Sequence, residues 1–132
     1  MSDEYSAAAI DHFTAPRNVG TLGHPDGTGA DANPACGDRT TITLELTDGR
    51  ISTARFRTFG CTAAIASASA LTELVTGLTP EAAAALGPGD LLRVLGGLPA
   101  RKEACALMAV GALRAALIDA RVRGTTPLGS AR

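Results

Sequence analysis

The feature that most constrains the fold of this chain is an Asp-Gly pair with extended-type sequence on both sides. Apolar residues alternate with threonine and glutamate over residues 41–47, and Asp48-Gly49 leads into a second extended segment over 51–59. Period-two alternation places apolar side chains on one face of a strand, and Asp-Gly favours the tight turn that joins antiparallel strands. The stretch therefore predicts a β-hairpin with one buried face.

The other regular segments are predicted to be helical, because apolar residues recur at helical spacing between glycine and proline boundaries. The predicted helices cover residues 4–14, 62–76, a short segment opened by Thr79-Pro80, a brief turn from Asp90 to Leu95, and 101–123. In the last helix, the residues predicted to face inward are Leu107, Val110, Leu113, Leu117 and Ile118. Segregated strands and helices indicate an α+β fold, with helices packed on one face of a small antiparallel sheet of about three strands.

Residues 16–39 form the longest stretch without a periodic pattern. They are rich in glycine, proline, asparagine and aspartate, which predicts a long irregular segment of a kind that is often functional. No repeat or linker divides the chain, and 132 residues suffice for one domain with a core of Ala, Leu, Ile and Val. We therefore expect a single domain over residues 1–132, with a disordered tail at 124–132.

Charge and hydropathy argue against several classes of partner. A net charge of −1 gives no electrostatic footprint for nucleic acid or an anionic membrane. No apolar run approaches the roughly 18 residues of a membrane span, and the N-terminus does not resemble a secretory signal. Three cysteines, an odd number, without such a signal are typical of a reducing compartment, so a cytoplasmic location is expected.

The three cysteines stand where chain reversals meet regular structure. Cys36 precedes Gly37, Cys61 follows Gly60, and Cys105 lies early in the last predicted helix. Such positions leave a thiol partly open and near free backbone N–H groups, and the helix dipole is expected to favour the thiolate of Cys105. Because the three are far apart in sequence, a shared site has to be assembled by the fold. The pattern alone leaves open a metal or sulfur site and three unrelated thiols.

Asp38 adds a carboxylate to this set. It lies two positions after Cys36, so both side chains point the same way in an extended or turn segment. With Cys61 and Cys105 they offer three thiolates and one carboxylate, enough for a tetrahedral site, and thiolates select zinc, copper(I) and iron–sulfur clusters. An Asx-type turn after Gly37 explains Asp38 equally well, and both interpretations remain open from the spacing.

Four ordered motifs carry a resemblance to a known family. They are Ile10-Asp11-His12-Phe13 followed by Pro16-Arg17-Asn18-Val19-Gly20, then Pro34-Ala35-Cys36-Gly37-Asp38, then the segment from Phe56 through Cys61 to Ser69, and last Leu98-Pro99 with Lys102 and Cys105. Over about residues 5–123 the chain resembles the U-type iron–sulfur cluster scaffold family, which comprises IscU, SufU and the N-terminal domain of NifU. The resemblance implies the IscU/NifU-like fold.

The resemblance also implies a function, that of a carrier and not an enzyme. A nascent [2Fe–2S] cluster would be built from iron and from persulfide sulfur supplied by a cysteine desulfurase, then handed to apo iron–sulfur acceptor proteins. The residues that carry over as ligands or sulfur acceptors are Cys36, Asp38, Cys61 and Cys105, and Zn²⁺ suits the same ligands when no cluster is present. The alternatives are a zinc-dependent, SufU-like sulfur-transfer adaptor for a desulfurase, and a small interaction protein whose thiols are incidental.

Two positions depart from the family pattern. Many IscU and NifU members have histidine directly before the third cysteine, where this chain has Ala104. SufU proteins also lack that histidine, but they carry an insertion between the second and third cysteines, which the 44-residue interval from Cys61 to Cys105 is too short to hold. The stretch from Leu98 to Lys102 differs from the Leu-Pro-Pro-x-Lys segment that IscU offers to its Hsp70 chaperone, so an Hsp70 partner stays open.

Four other residues are weighed as additions to the site. His12 and His24 are candidates to replace the missing histidine, and surface or capping histidines are the ordinary alternative. Glu103 offers an extra oxygen ligand, or else favourable charge in the first turn of a helix. Lys102 draws negative charge toward the site and lowers a cysteine pKa, or else it is a solvated lysine.

Overall fold

The computed structural model describes residues 5–35 and 37–124. In chain order the elements are α1 (Ala7–Thr14), β1 (Gly27–Asn33), β2 (Asp38–Thr47), β3 (Arg50–Phe59), α2 (Thr62–Val75), α3 (Pro80–Ala84), α4 (Pro88–Leu95), a 3₁₀ turn (Ala100–Lys102) and α5 (Glu103–Gly124). Gly124 ends α5, and the rest of the predicted tail lies outside the described residues. Within the described ranges, no helix is long and apolar enough to cross a membrane.

The predicted hairpin is confirmed as β2 and β3. Asp48 and Gly49 both have positive φ, 53° and 78°, the backbone of the tight turn whose twist matches that of antiparallel strands. The sheet has the order β1-β2-β3, and both pairings are antiparallel. Asp38 opposes Asn33 in one pairing, and Arg39 opposes Phe59 in the other. These pairs bring the start of β2 and the end of β3 to the same end of the sheet.

The prediction of an irregular segment over residues 16–39 was wrong for β1. This strand carries no apolar alternation because it buries backbone against α5. A Cβ atom on Gly29 would lie 2.1 Å from the Ala116 nitrogen, and one on Gly27 would lie 2.3 Å from the Ala116 oxygen. The strand therefore fits under α5 only because glycines stand at these two positions. A strand with glycines on its buried face shows no alternation of apolar and polar residues in its sequence.

The helices lie on one face of the sheet, as predicted. Helix α2 packs on β3, α5 packs on β1 and β2, and the two helices contact each other. The side chains buried between these layers include Ile42, Leu44, Phe56, Leu71 and Leu113. Half of the buried residues of α2 are alanines and two more are serines, so the layers approach closely.

The predicted inward face of α5 is correct for three residues and wrong for two. Val110, Leu113 and Leu117 are buried, whereas Leu107 is 58% exposed and Ile118 is 64% exposed. The contact stripe is completed by small residues instead, namely Ala106, Ala109, Ala112, Ala116 and Ala120. Alanines at helical spacing carry a weaker periodic signal than leucine and isoleucine, which is why the stripe was misplaced.

The remaining helices follow the sequence expectations closely. Helix α1 ends at Thr14 before the Ala15-Pro16 stop, and α2 agrees with the predicted helix to within one residue. Helix α4 begins at Pro88, earlier than the turn predicted from Asp90. The reason is that Asp90 acts from the third helical position, where its Oδ2 accepts the Gly87 N–H at 2.9 Å.

Candidate metal centre

Three of the predicted site residues meet where different elements begin. Asp38 is the first residue of β2, Cys61 is the N-cap of α2 and is separated from β3 by Gly60 alone, and Cys105 is the third residue of α5. Chain reversals at these points leave the backbone ends of one strand and two helices at the same end of the sheet. The fold therefore brings together side chains that are distant in the sequence. Cys36, the fourth predicted residue, lies outside the described residues.

The donor atoms of these three residues form a compact triangle. The Cys61 Sγ lies 3.6 Å from the Asp38 Oδ2 and 3.8 Å from the Cys105 Sγ, and the Cys105 Sγ lies 4.0 Å from the same Asp38 oxygen. All three donor atoms fall within 4.8 Å of one another. They are close enough for one ion to contact them all.

The triangle has the size that a tetrahedral ion requires. With Zn–S distances of about 2.3 Å and a Zn–O distance of about 2.0 Å, tetrahedral angles place two sulfurs roughly 3.8 Å apart and a sulfur and an oxygen roughly 3.5 Å apart. The observed separations are 3.8 Å between the sulfurs, and 3.6 and 4.0 Å from the sulfurs to the oxygen. Two thiolates and a carboxylate are also a donor set that binds zinc or sulfide-bridged iron.

Burial differs among the three donors. Asp38 and Cys105 are 7% and 3% exposed, whereas Cys61 is only half-buried. The triangle is thus closed on the side of the core and open on the side of Cys61. A ligand or a reacting partner approaches from that side.

The buried thiol of Cys105 does not behave as the sequence suggested. Burial, together with the charge and hydrogen bond of Cys61 and the charge of Asp38, raises the pKa of Cys105 to about 12. Desolvation and two neighbouring negative groups thus outweigh the helix N-terminus, and the prediction that the dipole favours this thiolate was wrong. In the metal-free protein Cys105 is a neutral thiol, and an ion that binds it has to displace its proton.

Lys102 lies beside the centre. Its pKa is raised by the negative charge of Cys61 and by a hydrogen bond with that residue, and the charges of Tyr5 and Cys105 act in the same direction. Lys102 in turn lowers the pKa of Cys105, although less than burial raises it. This agrees with the expectation that the lysine draws negative charge toward the site, although the net effect on the pKa of Cys105 is upward.

Gly60 is a site residue that the sequence reasoning missed. A Cβ atom at this position would lie 2.8 Å from the Asp38 Cγ, 3.0 Å from its Oδ1 and 3.1 Å from the Ala64 Cβ. The absence of a side chain therefore makes the space that the carboxylate occupies. The only available signal was its place directly before Cys61, which by itself also suits a simple turn.

The other candidate ligands are not part of the triangle. Among the described residues, the potential metal-binding group that contains the two cysteines has Asp38 as its third member, and neither histidine nor Glu103 belongs to it. His12 is buried against α2, where its Nδ1 lies 2.8 Å from the Ser69 Oγ. This contact therefore stabilises the packing of α1 against α2. Ala104 is exposed and offers no ligand atom.

Comparisons with known proteins agree with the motifs. Residues 4–126 match the family model described as NifU-like N terminal domain. The iron-sulfur cluster assembly scaffold protein IscU 1 of Archaeoglobus fulgidus is 45% identical over 115 residues, which cover 87% of this chain and 75% of that protein. The scaffold protein IscU of Aquifex aeolicus is 42% identical over 121 residues, covering 90% and 77% of the two chains.

The fold of a solved relative is also similar. The SufU crystal structure from Fervidobacterium islandicum AW-1 superposes with a TM-score of 0.71 at 21% identity, and the match covers 88% of this chain and 98% of that one. The sheet of three antiparallel strands with helices on one face is therefore shared by proteins of low sequence identity. Together, the family model and the identity to IscU proteins show that this chain belongs to the NifU-like N-terminal domain family, the U-type iron–sulfur cluster assembly scaffolds.

Proposed function

We propose that this protein is a scaffold on which an iron–sulfur cluster of the [2Fe–2S] type is assembled as cargo and from which it is released to acceptor proteins. The observation that carries the proposal is the triangle of donor atoms, at separations of 3.6 to 4.0 Å. Two of its members are thiolate ligands, which sulfide-bridged iron prefers. Relatives at 42–45% identity are named as scaffolds for this assembly.

The proposed ligands are Cys36, Asp38, Cys61 and Cys105, and their surroundings suggest different roles. Cys105 is the anchor, because its burial excludes competing thiols. Cys61 is the acceptor of incoming sulfur, because it is half-buried and lies beside the Lys102 ammonium. Asp38 is the weakest ligand for sulfide-bound iron, since a carboxylate is a hard donor, and it therefore allows release. Cys36 is assigned from its motif.

The proposed partners follow from what such a carrier must receive and give. Sulfur would arrive as persulfide from a cysteine desulfurase, and the cluster would leave to apo iron–sulfur proteins. Both exchanges use the open side of the triangle, where Cys61 is only half-buried. The protein then acts by holding and transferring a group, without a catalytic residue of its own.

A second candidate function is favoured by the fit of the triangle to a tetrahedral zinc ion. A zinc-dependent adaptor would use the same residues to take persulfide sulfur from a desulfurase and pass it on. Ala104 in place of a ligating histidine leaves such a site with only cysteines and the aspartate, the ligand set that the resemblance assigns to SufU. The two functions differ in what is carried, so they can be separated by what the loaded protein contains.

Anaerobic reconstitution tests the proposal. The metal-free protein is incubated with ferrous iron, cysteine and a cysteine desulfurase, then desalted and analysed for iron, acid-labile sulfide and visible absorption. A scaffold is expected to retain iron and sulfide in equal amounts, with a charge-transfer absorption band. Cys61→Ser and Cys105→Ser should retain neither, because an alcohol is a poor ligand for iron in a cluster.

A different outcome of the reconstitution would reject the scaffold function. Tight zinc binding with faster desulfurase turnover, and no retained sulfide under any reconstitution condition, would reject the scaffold and support the adaptor. His24→Gln serves as a matched control, because His24 is exposed and outside the triangle. Its loading should equal that of the unchanged protein.

A further inference from the structure

The sulfur atoms of Cys61 and Cys105 are neighbours at the N-terminal ends of two different helices. They lie 3.8 Å apart, and a disulfide requires about 2.05 Å. We propose that these two residues are a reversible dithiol–disulfide pair, and that the disulfide closes the centre when no metal is bound. This inference goes beyond the proposed carrier function, since a disulfide holds neither metal nor cluster, and it does not depend on which cargo the site carries.

The two side chains differ in their freedom to close this gap. Cys61 is half-buried, and as N-cap of α2 its side chain makes no capping hydrogen bond. Cys105 is 3% exposed and packed within the first turn of α5. Cys61 is therefore the side chain with freedom to move, and its sulfur has to approach the Cys105 sulfur for the bond to form.

The difference in burial between Cys61 and Cys105 determines which thiol reacts first. A small-molecule disulfide such as oxidised glutathione reaches Cys61 first, because Cys105 is shielded. The Cys61 thiolate attacks one glutathione sulfur, forming a mixed disulfide and releasing a glutathione thiolate. Cys105 then gives up its proton to a solvent base, its thiolate attacks the Cys61 sulfur, and the second glutathione leaves as a thiolate that takes up a proton from water. Two protein thiols are oxidised and one molecule of oxidised glutathione is reduced to two thiols.

Closing the disulfide would disable the centre. Of the four proposed ligands only Asp38 and Cys36 would remain, and half of the donor set does not close the tetrahedral site that a zinc ion requires. Conversely, a bound ion occupies both sulfurs and blocks their oxidation. Metal loading and disulfide formation therefore exclude each other, so the pair would protect an empty centre from irreversible oxidation of its thiols.

Peptide mapping of the full chain tests the proposal. Trypsin places each cysteine on a separate peptide, because cleavage sites separate residues 18–39, 58–93 and 103–114. The metal-free protein is treated with oxidised glutathione, its remaining thiols are alkylated, and the digest is examined by mass spectrometry. We expect peptides 58–93 and 103–114 to be joined, at a mass lower by two hydrogens than their sum, with Cys36 alkylated. Dithiothreitol should reverse the link and restore zinc binding, which the oxidised protein should lack.

Matched variants separate the pair from general thiol reactivity. Cys36→Ser removes a thiol but keeps the pair, so its link between 58–93 and 103–114 should persist. Cys105→Ser removes the resolving thiol and should leave glutathione attached to Cys61. The proposal is overturned if the unchanged protein yields only glutathione adducts or mainly a link to Cys36, or if the oxidised protein binds zinc as tightly as the reduced one. Prior zinc loading should suppress the link, and a link formed equally fast with zinc bound would also reject it.

Discussion

Replacing Gly60 with alanine should weaken metal binding without touching a ligand. The added Cβ would lie 2.8 Å from the Asp38 Cγ and 3.0 Å from its Oδ1. Carbon atoms in ordinary contact are about 3.5–4.0 Å apart, so the carboxylate has to retreat by roughly 0.7 Å or more. Metal-ligand distances tolerate only about 0.2 Å, and a displacement of this size therefore removes the carboxylate from the ion. Both cysteines remain in place.

The expected magnitude follows from the role of supporting residues at metal sites. Changes that disorient one ligand typically reduce metal affinity about 10–100-fold, which corresponds to about 1.4–2.8 kcal/mol. Zinc affinity should be measured by competition with a chromophoric chelator, with circular dichroism to verify the fold. Gly60 has no left-handed backbone that alanine would strain, so the effect comes from the contact alone.

Two control variants test whether the effect of Gly60→Ala comes from its contact with the Asp38 carboxylate. Gly23→Ala adds a Cβ atom that meets nothing within 4 Å, and zinc affinity should not change. In an Asp38→Ala background the carboxylate is gone and only the 3.1 Å contact with the Ala64 Cβ remains, so Gly60→Ala should have a smaller further effect than in the unchanged protein. If Gly60→Ala binds zinc as tightly as the unchanged protein, or if its effect simply adds to that of Asp38→Ala, the carboxylate does not depend on this glycine and the argument fails.

Three further predictions concern release, pH and packing. Asp38→Ala should keep or lengthen the lifetime of a reconstituted cluster while slowing its transfer to an apo-acceptor, measured by acceptor absorption; complete loss of assembly would instead make Asp38 an obligatory anchor. Burial, and then the nearby Arg17 charge, lower the pKa of His12 in the folded protein below 6.5. The unfolded chain therefore binds a proton at His12 more readily than the folded protein does. The stability that His12 contributes above pH 6.5 is lost as the pH falls toward its lower folded-state pKa. Urea unfolding at several pH values should show a smaller loss on acidification for His12→Gln than for the unchanged protein, and no such difference for His24→Gln. Gly29→Ala places a Cβ 2.1 Å from α5 backbone, and should lower the free energy of unfolding by about 1–3 kcal/mol or more; equal stability to the unchanged protein in urea unfolding would contradict this packing.

The sequence predicted those parts of the fold whose signals are local. The Asp48-Gly49 turn and the helix after Cys61 are specified by residues within one element, and both were located to within about a residue. Strand β1 was missed because Gly27 and Gly29 leave no apolar pattern when backbone packs on backbone. The face of α5 was partly misplaced for a related reason, since half of its buried residues are alanines.

In the candidate site, too, some features were predicted from the sequence and others depend on contacts between distant elements. The motifs predicted that Asp38, Cys61 and Cys105 would act together, and their donor atoms do lie within 4.8 Å of one another. The protonation of Cys105 was predicted in the wrong direction, because its burial depends on how β2, α2 and α5 meet and not on its position in the helix. The role of Gly60 likewise arises only from a contact between separate strands.

The distribution of the three donors along the chain has a consequence for synthesis. Asp38 and Cys61 are made early, but Cys105 is carried by α5, the same helix that covers the glycine strand β1. A nascent chain therefore lacks both the third donor and the cover of its sheet until this last helix has emerged and docked. A product that ends before α5 therefore offers at most a partial site and should remain unloaded.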